Sequence, residues 1–478
     1  MALPWSFSLN LCFLFLLFFH GSLPCSSAAA ASPLTALVLP VAKDAATKQY
    51  VVSLQHKTPL RSDKFVVDLG SGFLWVDCTK DYQSSTFRPV PCGAATCAAA
   101  GALGCTGACY SPPRPGCNNN TCSGSPGNTI THLSTSGDLS DDTLVLRSTD
   151  GRSSGPPATV THFVFMCGAT LLLPGLAAGS RGMLGLGRTA VAAPHQLASA
   201  FGFKRKFALC LSPSAASPGV IFFGDGPYVM QPGVDVSQSM AYTKLLFNPV
   251  STAGAYFAGE RSVEYFVKVT SIAVSGKTVP VNTTLLDIHK SKGGTKISTV
   301  VPYTRLESSI YSAVEVAFVR EAAARNIKRV AAVKPFGACF STANVANTRT
   351  GWAVPEIELF FEGASAAWKI AGANSMVAAG NGVMGGVEGV HCDRRLPARE
   401  QLVAVRSREL EDGLQLELAV QGDKLRQFQA VTLLRTWVMA AIPHRLPRFI
   451  WFVLKDRTSS LFVKQLNCLL RLPTACRY

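Results

Sequence analysis

Val67-Asp68-Leu69-Gly70-Ser71-Gly72-Phe73-Leu74-Trp75-Val76-Asp77-Cys78 decides how this chain is read. Apolar residues run into a single carboxylate, a glycine-rich turn follows, and a second apolar run ends in a cysteine. The pattern predicts a buried strand that delivers Asp68 to a tight turn. That is half of a paired-carboxylate hydrolytic centre, in which two acids share a proton so that one acts as base on water and the other as acid. One carboxylate alone cannot divide those roles, so the partner has to be found elsewhere in the chain.

The search leads to Gly293-Gly294-Thr295-Lys296-Ile297-Ser298-Thr299-Val300-Val301-Pro302-Tyr303. Here the chain resembles the pepsin-like aspartic proteases of plants, whose second motif runs Gly-Gly-Thr, two further residues, then Asp-Ser-Gly. In that register Ser298 stands where the second aspartate belongs and Val300 where the glycine belongs. A serine hydroxyl does not accept the proton of the water-activating step near neutral pH. Leu69 likewise replaces a threonine whose hydroxyl supports the carboxylates. Asp287 precedes the glycine pair and Glu307 opens what reads as a helix, so neither is positioned as the missing acid. In active relatives a tyrosine on a mobile hairpin closes over substrate, whereas the matching stretch, Asn128 to Leu139, has none.

Asp68 with Ser298 resembles the catalytically deficient branch of that family, which holds the basic 7S globulins, the extracellular dermal glycoproteins and the cereal xylanase inhibitors. Gly182-Met183-Leu184-Gly185-Leu186-Gly187-Arg188 and Gly219 to Gly226 are similar to its first lobe, and Tyr303 to Tyr311 to its second. The resemblance spans Leu37 to Cys392. It implies an all-β, bilobal pepsin-like aspartic protease fold with few short helices. Asp68 is then a vestigial first aspartate, and Ser298 the replacement of the second.

Composition sets the compartment. Residues Leu9 to Phe19 form a short apolar run before Ser26-Ser27-Ala28-Ala29-Ala30-Ala31, the pattern of a secretory signal peptide that is too short to span a bilayer. Fifteen cysteines, with Cys12 and Cys25 in the leader, leave thirteen beyond it. Cys78, Cys92, Cys97, Cys105, Cys109, Cys117 and Cys122 crowd together, and in a secreted chain such crowding reads as disulfides, Cys167 included, rather than as a metal site. The family resemblance further implies that Cys339 pairs with Cys392, and Cys210 with a cysteine near the C-terminus. Asn119 and Asn282 head glycosylation sequons.

A net charge of +16 favours anionic partners such as acidic cell-wall polysaccharide. No arginine-rich helix, zinc finger or aromatic-basic motif points to nucleic acid. Gly182 to Gly187 is followed by Arg188-Thr189 before Ala-Val-Ala-Ala-Pro, a poor match to the lysine and helix start of a phosphate-binding loop, His-x-x-x-His is missing, and no cofactor is implied.

Short β-rich runs such as Tyr50–Leu54, Phe65–Val67, Thr161–Phe165 and Tyr265–Val269 alternate with Gly, Pro and Ser clusters, as in an all-β protein. Helical periodicity is confined to Pro194–Phe201 and Leu306–Ala324, the latter with Ile310, Val314, Ala317 and Phe318 on one face. The expected organisation is a signal peptide over 1–31, lobes over 32–226 and 227–392, and an atypical basic and apolar tail over 393–478. That tail carries fifteen Lys and Arg against eight Asp and Glu. It departs from the family pattern as an altered reading frame or splice choice would, which leaves the second lobe incomplete. The inhibitor members place a histidine shortly before their last cysteine, but Leu472-Pro473-Thr474-Ala475-Cys476 has none.

The resemblance implies a secreted or cell-wall protein that binds a protein partner, a microbial xylanase or other glycoside hydrolase, without peptide cleavage. The alternatives are a residual aspartic-type endopeptidase and a seed or wall storage or signalling glycoprotein.

Overall fold

The computed structural model describes residues 34–102, 104–107, 109–212, 215–230, 233–252, 260–289, 292–300, 303–333, 336–348, 350–380, 383–388, 394–397, 402–410 and 413–421. Strands dominate and helices are few and short, as the alternation of β-rich runs and turn clusters predicts. The longest helix, Ser308–Ala324, sits where the periodicity places it and buries Ile310, Val314, Ala317 and Phe318. Glu307 is its N-cap, with a side chain that accepts from the backbone of Ser309 and Ile310. Helix Ala193–Phe201 is tied to the sheet by Gln196, which exchanges hydrogen bonds of 2.7 and 2.8 Å with the backbone of Val164.

The strand that carries Asp68 is Arg61–Asp68, exposed at its start and buried from Phe65 onward. It pairs antiparallel with Tyr50–His56, Val66 opposite Val51. On its other side it runs parallel to Ser180–Gly185, with Leu184 beside Val67 and Gly185 beside Asp68. After the glycine turn, Trp75–Asp77 is held between Ser154–Gly168 and that same Ser180–Gly185 strand. A Cβ on Gly185 would lie 2.2 Å from the carbonyl oxygen of Phe73, so backbone contact beneath the turn explains this glycine.

The same large sheet takes in Ala241–Leu246, Tyr265–Val267 and Thr295–Ile297 from the second half of the chain, which brings the second motif up to the first. That half also forms two four-stranded sheets, one around Val269–Val274 and Ile357–Phe361, the other around Phe336–Ser341 and Val383–Glu388, beside several two-stranded ribbons. Within the segment expected to leave the family pattern, Leu402–Leu410 and Gly413–Gln421 form a hairpin. Its strands pair with Lys206–Cys210 and Ala241–Leu246 respectively. The apolar alternation of Leu414, Leu416, Leu418 and Val420 is that of a strand.

Eight cysteines of the first half pair as Cys78–Cys167, Cys92–Cys105, Cys97–Cys122 and Cys109–Cys117. Cys210 and Cys339 are buried, and the partners expected for them lie outside the described residues. Cys78–Cys167 ties the strand after the Asp68 turn to the end of Ser154–Gly168 across 89 residues. Replacing both cysteines by alanine is expected to lower the unfolding free energy by about 2–5 kcal/mol, read as a lower urea midpoint.

Candidate functional site

Asp68 lies at the end of its strand with only 1 % of its surface exposed. The turn satisfies one oxygen, since the Gly70 amide donates to Oδ1 at 2.7 Å. The other oxygen is met from outside: the Thr129 hydroxyl donates to Oδ2 at 2.7 Å. Thr129 is delivered by Asn128, whose Nδ2 donates to the carbonyls of Leu172 and Pro174 while its Oδ1 accepts from Ile130 and Thr131. The hairpin that lacks a tyrosine thus places a threonine on the aspartate.

The second motif arrives through Thr299. Its buried hydroxyl donates to the Val67 carbonyl at 2.7 Å and accepts from the Leu69 amide at 3.2 Å. The Asp68 turn and Ser298-Thr299-Val300 are therefore joined through Thr299, which bonds the residues on either side of Asp68. The support runs one way only, because Leu69 has no hydroxyl to return. Ser298 is half-buried, and its oxygen accepts a 3.4 Å contact from the Val300 amide.

A second carboxyl group stands beside this pair, and no motif had marked it. Glu264 precedes Tyr265–Val267, which pairs Tyr265 with Ile297 and Phe266 with Lys296, so that register sets Glu264 across from Ser298. A Cβ on Gly70 would meet Asp68 Oδ1 at 3.2 Å and Glu264 Oε1 at 3.5 Å, so the two acids flank that glycine. Glu264 is committed elsewhere. Its Oε1 forms an ion pair with Lys296, and its Oε2 accepts from the hydroxyls of Thr252 and Ser262. The available signal was an acid set against the apolar Tyr265-Phe266-Val267, where a buried charge demands a partner. Asp287 and Glu307, already set aside, occupy the ends of a short 3-10 turn and of the long helix.

Burial is the main force that raises the Asp68 acid above the ordinary aspartate range; the bonds from Thr129 and Gly70 oppose it, Glu264 adds to it and Lys296 subtracts. Arg188 and Tyr265 complete the frame under the turn. Arg188 donates through its backbone to Val263 and through its guanidinium to the carbonyls of Leu246 and Ser262, while the Tyr265 hydroxyl donates to the Leu186 carbonyl at 2.6 Å. Among the described residues no cluster of His, Cys, Asp and Glu is arranged to hold a metal ion, and no helix is long and apolar enough to cross a membrane.

With this geometry in place, the comparisons are direct. Residues 50–225 match the family described as xylanase inhibitor N-terminal, and residues 264–391 match xylanase inhibitor C-terminal. The chain belongs to the xylanase-inhibitor and basic 7S globulin branch of the pepsin-like superfamily. The probable aspartic proteinase GIP2 of Nicotiana benthamiana is 51% identical over 73% of this chain and 79% of its own length. Gamma conglutin 1 of Prunus dulcis is 38% identical over 73% and 77%. The crystal structure of edgp superposes with a TM-score of 0.77 at 47% identity, over 83% of this chain and 98% of that one. Soybean basic 7S globulin gives 0.66 at 31%, over 82% and 96%. The pepsin-like fold expected from the Asp68 and Ser298 motifs is the fold of this branch.

Two outcomes are expected at this site. Thr299→Val strands the buried Leu69 amide and Val67 carbonyl, and should cost about 1–3 kcal/mol in denaturant unfolding. Because folding raises the Asp68 pKa, the stability tied to its protonated form is present below the ordinary aspartate value and is lost as pH rises through the folded one. Asp68→Asn, which cannot ionise, should therefore gain thermal stability over the natural chain at neutral pH, with the gap closing under acid.

Proposed function

We propose that this is a secreted, proteolytically inactive aspartic-protease homologue that binds a protein partner, a cell-wall polysaccharide hydrolase of xylanase type, in defence. One observation supports the reading: Thr299 bonds the residues on either side of Asp68, and the residue before it, which the family register makes the counterpart of Asp68, is Ser298. Peptide hydrolysis by this fold needs two carboxyls that share a proton over one water. Here the four carboxyl oxygens at the site each have their own donor: Gly70 and Thr129 on Asp68, Lys296 and the Thr252 and Ser262 hydroxyls on Glu264. The match to the xylanase inhibitor families supplies the partner class.

The leader over 1–31 and four disulfides support an oxidising, extracellular or cell-wall location. The basic surface supports retention on acidic wall polysaccharide as well. Of the two sequons, Asn282 is the better acceptor: it is exposed together with Thr283 and Thr284, and its Oδ1 accepts from the Thr284 amide and hydroxyl. Asn119 is exposed too, but Thr121 of its sequon is buried.

The purified secreted protein, titrated against secreted endo-β-1,4-xylanases and endo-β-1,4-glucanases, should inhibit at least one of them, and Asp68→Asn should inhibit equally well. Acid-dependent peptide cleavage that vanishes in Asp68→Asn would overturn the reading in favour of a residual aspartic endopeptidase.

A further inference from the structure

One aromatic side chain of the first half stands wholly in solvent. Tyr110 is exposed at 101 %, and among the described residues its phenol meets no hydrogen-bond partner and no other ring. It sits in Cys109-Tyr110-Ser111-Pro112-Pro113-Arg114-Pro115-Gly116-Cys117, which the Cys109–Cys117 disulfide closes into a ring. Two backbone hydrogen bonds join Arg114 and Cys117 across that ring, at 3.1 and 2.8 Å. The intervening Pro115-Gly116 pair, with Gly116 at a φ of +81°, has the composition and conformation of a type II turn. A Cβ on Gly116 would sit 3.4 Å from the Cβ of Cys78, so the turn rests on the Cys78–Cys167 disulfide. The base is anchored as firmly: the Cys109 amide donates to Asn119 Oδ1 at 2.6 Å, and buried Asp138 accepts from the Asn118 backbone and side chain. The ring thus holds a bare phenol away from the body of the protein.

The other described tyrosines are placed differently. Five are buried, Tyr242 packs against the cluster around Phe222, and the Tyr303 ring lies edge-on to Phe336. Phenols, indoles, thiols and thioethers are the side chains that oxidants attack, and exposure decides which of them is reached. In the first half Trp75, Met166 and Met183 are buried, and the cysteines from Cys78 to Cys167 are all paired in disulfides. An oxidant arriving at this surface therefore meets Tyr110 before any other ring or sulfur, and no neighbouring thiol is there to return the electron it takes.

We propose that Tyr110 is a site of oxidative phenol coupling, through which the protein is joined covalently to a second phenol by a haem peroxidase and hydrogen peroxide. Each of two phenols gives up one electron and one proton. The two phenoxyl radicals bond through ring carbons beside the oxygens, and the hydrogens on those carbons move to the oxygens to restore both aromatic rings. One hydrogen peroxide accepts the two electrons and two protons, its oxygen–oxygen bond breaks, and it leaves as two waters. With Tyr110 fully exposed, both ring carbons beside its hydroxyl are open to such a partner. The partner phenol belongs to a second copy of this chain or to a phenolic acid, and charge separates the two. Copies that each carry +16 repel one another, whereas a phenolic carboxylate is drawn in. Added salt should therefore favour joining of copies and disfavour capture of the acid. Meeting a peroxidase rests on the extracellular location proposed above; the chemistry of the ring does not, and neither depends on binding a hydrolase.

The purified full-length secreted protein, incubated with a haem peroxidase and hydrogen peroxide, tests the idea. Alone, it should give a dimer that survives reduction and denaturation and shows dityrosine fluorescence. With 4-hydroxyphenylacetate added, it should give an adduct whose mass is the sum of the two partners less two hydrogens. Tyr110→Phe should lose both products with an unchanged thermal midpoint, because the hydroxyl removed is in solvent, while Tyr242→Phe keeps both. A dimer without adduct names a second copy as the partner, and an adduct without dimer names the phenolic acid. The proposal is overturned if neither product forms, if Tyr110→Phe couples as well as the natural chain, or if the joined peptide maps to Tyr256 or Tyr478, which lie outside the described residues. Any of those results leaves the hydrolase-binding function standing, since inhibition is measured without oxidant.

Discussion

A single hydroxyl joins the two halves of this site. Thr299 donates to the Val67 carbonyl and accepts from the Leu69 amide, so the turn that carries Asp68 and the turn that carries Ser298 are registered to one another by a buried side chain. Leu69 offers nothing in return. Buried backbone groups left without partners are expensive, which is why one hydroxyl is enough to keep the two motifs aligned. The arrangement is held by backbone groups and by Thr299, neither of which depends on the identity of residue 298.

What surrounds Asp68 follows from that alignment. A buried carboxyl must be protonated, paired or hydrogen-bonded, and here the solution is local: the Gly70 amide on one side, the Thr129 hydroxyl on the other. Glu264 meets the same demand through Lys296 and two hydroxyls. The two acids are neighbours around Gly70, yet each has its own set of donors. The two carboxyls therefore stand in two separate, satisfied polar clusters.

Much of this was legible in the chain. The Asp68 strand and turn and the helix over Ser308–Ala324 with Glu307 at its head are encoded by residues close in sequence, where periodicity, glycines and caps act directly. Thr129 and Glu264 were not legible, for a tertiary reason. Thr129 meets Asp68 across 61 residues, and one hydroxyl among the several in its hairpin carries no local mark. Glu264 depends on the register between Tyr265–Val267 and Thr295–Ile297, which sequence spacing does not determine. The hairpin over residues 402–421 shows the converse: alternation alone was enough for strands to pair, although the family pattern had already faded.

Arg188 has a mechanical meaning. Its guanidinium reaches from beneath the Asp68 turn to the Leu246 and Ser262 carbonyls, its amide bonds to Val263, and its Cζ lies 4.2 Å from the Phe247 ring centre. Two carbonyls, an amide bond and a ring face hold this one residue, and together they act as a bolt between residue 188 and residues 246 to 263. A molecule braced in this way keeps a fixed profile at the joint rather than opening and shutting like a pair of jaws.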